Sequence, residues 1–242
     1  MGAGFGIGRA VARQLSARGA RIAVVDVAEE RLRAIADELS AVRVRADVTD
    51  PAEARTVIAR AAEELGPLDI LVNIVGRGRS RPVTDMSSDS ELDILRVNYL
   101  QHVDVCGQFA RTCVEDGRPG AITLVSSLAG SIPFPERAGY GAAKAALQSF
   151  ARSMAVELGP SGVRVNCVAP GVVRTDRSNY PPEVEQAYRA AIPLRRLVEQ
   201  DDVANAVTFL SSAAASCITG QTLIVDGGAS LYTKMWPASF PS

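Results

Sequence analysis

Residues 1–15 read MGAGFGIGRAVARQL, and the reading of this stretch decides the fold. Gly2, Gly6 and Gly8 stand just ahead of a run in which Ile7, Val11 and Leu15 share one helical face. Small residues let a backbone approach a pyrophosphate, and a helix N-terminus offers unpaired N–H groups and a partial positive charge. A turn of this kind normally closes a β-strand, yet only Met1 precedes it. The expectation is a phosphate-binding loop whose own strand, the first of the fold, is absent from the chain as written.

Outward from this loop, strand and helix patterns alternate. A helix over 7–18 stops at Gly19, and RIAVVD at 21–26 is a short buried strand. It ends at Asp26, 18 residues after Gly8. A carboxylate there accepts hydrogen bonds from an adenosine ribose and repels a 2′-phosphate. Leu32, Ile35 and Leu39 stripe a second helix, and VRVRA at 42–46 is a strand. Asp50, Pro51 and Glu53 start a helix as cap, first residue and capping-box partner, and Gly66-Pro67 ends it. DILVN at 69–73 is a strand, and SDSE at 88–91 caps a long helix to about Glu115. Further strands fall at 121–126, 163–168 and 222–226, with helices at about 140–158 and 201–212. Nearly all-apolar strands in βα alternation predict an α/β, doubly wound Rossmann-type parallel sheet with helices on both faces. With no repeat or linker, 1–242 reads as one domain. The irregular stretch 171–200, with Pro181, Pro182 and Pro193, reads as a ligand-crevice loop, with a substrate flap over about 176–200.

Composition narrows the function. A 47% hydrophobic chain of 242 residues can bury a large core, and a net charge of −1 gives no nucleic-acid or membrane surface. Cys106, Cys113, Cys167 and Cys217 show no metal-ligand spacing, so no metal site is expected. No signal peptide or membrane span is seen, and the expected location is cytoplasmic. One histidine, His102, and no GxSxG elbow argue against a hydrolase. Tyr140 and Lys144, in YGAAK, share a helix face four residues apart. A tyrosine of pKa near 10 serves as a base only where a cation, here the ammonium helped by an oxidised nicotinamide, stabilises its phenolate. Ser127, at a strand end thirteen residues earlier, is placed to hold a substrate oxygen beside it.

These motifs together resemble a short-chain dehydrogenase/reductase of the single-domain type over essentially the whole chain. Met1 to Gly8 match the family's TGxxxGxG except for the threonine, and Ser127-Leu128-Ala129-Gly130 match its catalytic serine segment. Tyr140 to Lys144 match YxxxK, Asn98 the helical asparagine, Pro170-Gly171 the PG turn, and 222–228 the final strand and DGG. The resemblance implies Tyr140 as acid/base, Ser127 as substrate orienter, Lys144 as ribose ligand lowering the Tyr140 pKa, and Asn98 as holder of a relay water. It implies NAD as cofactor, bound by Gly2, Gly6, Ile7, Gly8, Asp26, Asp47, Val48, Asn73, Pro170, Gly171, Val173 and Thr175, with Tyr140 and Lys144. Asp47-Val48 would meet adenine, and Val173 and Thr175 the carboxamide.

The chain departs from the family at Asn73-Ile74-Val75-Gly76, where NNAG is usual. Arg77, Arg79 and Arg81 follow, either a solvated loop or an attractor for an anionic substrate. His102 reads as a packed or interface histidine, and Cys106 and Cys113 as buried small hydrophobes. The expected function is hydride transfer between NAD(H) and a secondary alcohol or ketone. The alternatives are a 3-oxoacyl-thioester reductase, or a silent nucleotide-sensing or scaffold protein of the same fold. A homotetramer or homodimer through the helices of Asn98 and Tyr140 is implied by the resemblance alone. The first strand is expected from about 5–15 residues upstream of Met1.

Overall fold

Short apolar runs alternating with amphipathic ones give a parallel α/β fold across the described residues, 1–175 and 180–231, of this computed structural model. The strands are β1 (Ala23–Asp26), β2 (Val42–Arg45), β3 (Ile70–Asn73), β4 (Gly120–Val125), β5 (Val163–Pro170), β6 (Val173–Arg174), β7 (Val198–Glu199) and β8 (Thr222–Val225). The helices are α1 (Gly6–Ala17), α2 (Glu29–Leu39), α3 (Pro51–Ala54), α4 (Val57–Leu65), α5 (Ser88–Leu95), α6 (Gln101–Glu115), α7 (Ala138–Leu158), α8 (Pro182–Ala191) and α9 (Gln200–Ser211).

Every pairing is parallel. β3, β4, β5 and β8 form one ladder, β1 and β2 a second, and β6 and β7 a two-residue bridge. Helices cover both faces, as apolar strands buried on both sides require. α4, α6 and α7 pack with Val25, Leu71, Ile122 and Val165 in one core. α1 and α9 pack with Val125 and Val168 in another, and α2 closes a third over Val24.

The sequence expectations hold to within a residue or two at most element ends, with three corrections. The helix begun by Asp50 breaks into α3 and α4 at Arg55-Thr56. Asp50 does cap it, accepting from the Ala52 N–H at 2.8 Å, but Glu53 accepts instead from the Asp47 N–H at 3.0 Å, so the capping box is not made. The long helix from 88 to 115 is continuous but contains a π-helical turn at Arg96–Leu100. Part of the expected flap is helical, as α8; residues 176–179 of it lie outside the described residues.

Among the described residues, no strand lies between β1 and β3. Only the first residues of the chain bridge them. The Met1 N-terminal amine donates to the Val72 carbonyl at 2.9 Å, and the Ile74 N–H donates to the Met1 carbonyl at 3.3 Å. The Gly2 N–H donates to the Val25 carbonyl at 2.8 Å. Beyond Met1 the two strands border a slot of about 390 Å³. Its walls are Val11, Ala12 and Leu15 of α1 and Ile58, Ala61 and Leu65 of α4.

Candidate active site

The glycine loop begins where Met1 and Gly2 are tied to β1 and β3, and it runs into α1. A side chain at Gly8 would stand 1.8 Å from the Gly2 carbonyl oxygen, so the loop closes only over glycine there. Gly6 holds φ +55° and meets nothing nearer than the Thr175 methyl at 4.0 Å. The loop is thus shut behind and open in front, facing the segment after β5, as a pyrophosphate cradle requires. Asp26, at the end of β1, receives the Gly4 N–H at 2.9 Å and the Ala28 N–H at 3.0 Å. Its carboxylate is therefore fixed at the loop's edge. Asp47 holds the Thr49 N–H and hydroxyl at 2.9 and 2.7 Å, and Val48 beside it is buried. Opposite, the Gly171 N–H donates to the Val225 carbonyl at 2.9 Å, and Val173 lies in β6. Asp26, Asp47, Val48 and Gly171 thus all stand at the carboxyl ends of their strands, and the open front of the glycine loop fits a pyrophosphate.

The catalytic candidates meet at the end of β4. Ser127 follows that strand and caps a 3-10 turn, its hydroxyl accepting from the Ala129 N–H at 3.2 Å. Tyr140 and Lys144 come from the first turns of α7. The Ser127 hydroxyl is close enough to the Tyr140 phenol to pull its pKa down. Lys144 is buried, donates to the Val125 carbonyl at 2.9 Å, and lies 5.9 Å from the Tyr140 ring centroid. Burial brings its ammonium down to about 8. Burial also pushes the Tyr140 phenol up, and the opposing pulls come from Ser127 and Arg137.

Asn98 sits in the π-helical turn, fully buried. Its Oδ1 accepts from the Arg77 N–H at 2.9 Å, and its Nδ2 donates to the Arg77 and Ile94 carbonyls, both at 3.0 Å. Its amide therefore clamps the loop after β3. A side chain at Gly76 would touch both Asn98 Oδ1 and Lys144 Nζ at 2.9 Å, which explains the glycine. Asn73, expected at the cofactor, turns inward and donates to Gln101 Oε1 at 2.9 Å. Gln101 and His102 both reach the Val75 carbonyl at 3.2 Å. His102 is buried, with its ring pKa pushed well down by burial, then by Lys144.

Of the loop arginines, Arg77 pairs with Asp93 at 2.9 Å. Arg79 and Arg81 line a small recess with Tyr140, Glu91 and Glu136. Sequence reasoning missed three residues. Gln101 becomes visible only when the π turn rotates it toward Val75. Arg137 comes within 2.8 Å of where a Gly78 side chain would stand. Arg31, from α2, lies over the Phe5 ring at 5.4 Å and packs against Gly4 beside Asp26. The last was findable, since Arg31 follows Asp26 by about one helical turn.

Among the described residues, no group of acidic, histidine or cysteine side chains could hold a metal, and no helix is long and apolar enough to cross a membrane. Residues 2–230 match the family model described as enoyl-(acyl carrier protein) reductase. The chain is 38% identical to cis-4-hydroxycyclohexanecarboxylate dehydrogenase of Sinomonas cyclohexanicum, covering 94% of this chain and 93% of that protein. It is 37% identical to the 3-oxoacyl-[acyl-carrier-protein] reductase FabG of Escherichia coli, covering 94% of each. The solved structure of a short-chain type dehydrogenase/reductase from Mycobacterium ulcerans superposes with TM-score 0.90 at 32% identity, over 95% of this chain and 88% of that one. ElxO with NADP bound superposes with TM-score 0.88 at 26% identity, over 96% and 97%. The Ser127–Tyr140–Lys144 cluster, the glycine cradle and these matches agree: the chain belongs to the short-chain dehydrogenase/reductase family, an oxidoreductase with a Rossmann-type fold that uses a nicotinamide cofactor.

Proposed function

We propose that the protein is an NAD(H)-dependent dehydrogenase of secondary alcohols, with Tyr140 as acid/base. The observation that carries this reading is that Tyr140 and the buried Lys144, 5.9 Å from its ring centroid, stand together at the end of β4 where Ser127 follows the strand. A nicotinamide held by the glycine loop and Lys144 would supply hydride exchange with the carbinol or carbonyl carbon of the substrate. Ser127 holds the substrate oxygen, and Tyr140 takes the hydroxyl proton as the C–O bond becomes a carbonyl. Lys144 supplies the positive charge that Tyr140 needs, in company with the bound cofactor. Asn98 acts by holding the Gly76–Arg77 backbone against Lys144. The site residues for the cofactor are those lining the crevice: Gly2, Gly6, Ile7, Gly8, Asp26, Asp47, Val48, Pro170, Gly171, Val173 and Thr175. Asn73 supports them from behind.

NAD is favoured because the fixed Asp26 carboxylate opposes a 2′-phosphate. Arg31 beside it supports a second reading, in which NADP is also accepted. The substrate is read as a cyclic secondary alcohol bearing a carboxylate, which Arg79 and Arg81 would meet above Tyr140. The relative that acts on cis-4-hydroxycyclohexanecarboxylate supports this class, while FabG keeps the 3-oxoacyl thioester alternative in view. The whole chain is read as one catalytic domain, in the cytoplasm, with residues about 176–200 over the substrate. A homotetramer or homodimer is favoured by exposed Leu100 and Val156 on the two long helices. The deciding experiment follows NADH absorbance with hydroxycyclohexanecarboxylates, neutral cyclohexanols and 3-oxoacyl thioesters. The wild type should turn over the first group best, and Tyr140→Phe none. Turnover of no alcohol or ketone with either cofactor would leave only the silent nucleotide-sensing alternative.

A further inference from the structure

The residues after β3 are tied to the buried start of α6, and one carbonyl there carries two bonds. The Val75 carbonyl accepts from Gln101 Nε2 and from His102 Nε2, both at 3.2 Å. A carbonyl oxygen has two lone pairs, so this one is saturated. The Val75 N–H donates to Asn73 Oδ1 at 3.2 Å, and Asn73 Nδ2 donates to Gln101 Oε1 at 2.9 Å. Asn73, Gln101 and His102 are each exposed by 2% or less. Both polar groups of the Val75 backbone are thus held by side chains that water does not reach.

His102 is the unexpected member. A carbonyl only accepts, so the His102 Nε2 carries a proton. Its Nδ1 is buried with no partner among the described residues. A second proton there would be a buried donor with nothing to meet, so the ring is neutral. The charges that act on it, Lys144 of α7 and the Met1 amine, are both positive and favour the same form. Buried polar atoms without partners are rare in native proteins, and each calls for an explanation. A leucine of similar size would leave no such atom. What the histidine adds is its one bond to Val75.

That bond bears on the next residue. At Gly76 a Cβ would stand 2.9 Å from both Lys144 Nζ and Asn98 Oδ1. The Val75 carbonyl and the Gly76 N–H belong to one rigid trans peptide. Holding the carbonyl therefore fixes how the Gly76 backbone lies against the ammonium. We propose that His102 is a positioning residue: with Gln101 it pins the Val75–Gly76 peptide as one wall of the Lys144 site, keeping the ammonium beside Tyr140 and shut off from water. Asn98 holds the far side of Gly76 through Arg77, and His102 holds the near side. The consequence for turnover rests on the role given to Lys144 above.

The test uses the full chain, which contains one histidine and two lysines, Lys144 and Lys234. Nitrogen-15 NMR of the histidine should show a neutral ring at pH 7 with its proton on Nε2. A proton on Nδ1 would overturn the proposal. Carbon-13 NMR of the lysine Cε atoms then follows the Lys144 titration, with Lys234→Arg assigning the two signals. In the wild type, burial holds this ammonium at about 8. His102→Leu loosens the wall and lets water in, so the titration should move up by about half a unit or more. The same variant should lower kcat about tenfold and leave Tm unchanged. His102→Gln, which sets an amide N–H near the place of Nε2, should restore both the titration and kcat. A histidine that serves packing alone would lower Tm in both variants and leave the Lys144 titration unmoved, and that result would overturn the proposal. A moved titration with unchanged kcat would uphold the wall and overturn the catalytic role of Lys144. Should His102→Leu fail to fold, Gln101→Met removes the other bond to the same carbonyl, and an unmoved titration there would overturn the proposal as well.

Discussion

The two halves of the sheet are built alike and held differently. On the catalytic side, β3, β4, β5 and β8 form an unbroken ladder, and Ser127, Tyr140 and Lys144 grow out of it and α7. On the other side, β1 and β2 are joined to the rest, among the described residues, through Met1, Gly2, Ala3 and the helices. The Asp26 carboxylate and the glycine loop hang on that weaker join. The proposed catalytic cluster is thus held by the sheet itself, while the proposed cofactor loop depends on a few bonds at the slot's mouth. Substitutions in the first half should act on turnover, and those in the second on stability and cofactor affinity.

The largest effect tests the catalytic half. Tyr140→Phe should lower kcat by about 10²–10⁴-fold, the range of a lost general acid–base group. NADH affinity should stay unchanged, measured by fluorescence titration. A parallel loss of NADH binding would mean the two halves are not separable in this way.

Next comes the slot. The Met1 amine has its pKa lowered from 8.0 to about 6, chiefly by burial, with Asp26 opposing. Folding therefore releases a proton between these values, and stability rises with pH across the window. Two units correspond to at most about 2.7 kcal/mol, present in full above pH 8 and lost by pH 6. Urea unfolding at pH 6, 7 and 8 checks this, and an N-terminally acetylated chain should show a flatter profile. His102, also depressed by burial, adds its loss only below its ordinary value near 6.5.

A smaller effect sharpens the nucleotide side. Asp26→Ala should narrow the preference for NAD over NADP by about tenfold, or 1.4 kcal/mol. Arg31→Gln should widen it. Steady-state kcat/KM with both cofactors decides, and a wild-type preference for NADP would reverse the role given to Asp26. The smallest effect is at the substrate mouth. Arg79→Gln with Arg81→Gln should raise KM for a carboxylate-bearing alcohol by about threefold, the scale of exposed charge pairs. KM for a neutral alcohol should not move. Equal KM changes for both would leave the arginines as a solvated loop.

Much of this was legible in the sequence. Runs at strand spacing located six strands, β1 to β5 and β8, because burial on both sheet faces leaves a clear pattern. The glycine loop was readable from Gly2, Gly6 and Gly8, and Ser127, Tyr140 and Lys144 were expected together, as the structure brings them at the end of β4. Asn98 was marked as functional, but not its bonds to Arg77. Asn73 was marked for the cofactor and turned out to serve Gln101. Those differences arise from the π-helical turn, whose hydrogen bonds leave no periodic trace in side-chain type.

Local character is therefore what the sequence determined by itself: which segments are strands or helices, which turn is built on glycine ahead of a helix, and which residues are the candidates for proton transfer. Each follows from residue type and short spacing. Only the tertiary structure decided what happens between distant segments. It placed Arg31 beside Asp26, set Arg79 and Arg81 in a recess with Tyr140, and buried the Tyr140 phenol, which pushes its pKa up. It also showed that the gap between β1 and β3 persists as a slot walled by α1 and α4. The physical reason is the same throughout: burial and pairing depend on neighbours brought together from far along the chain.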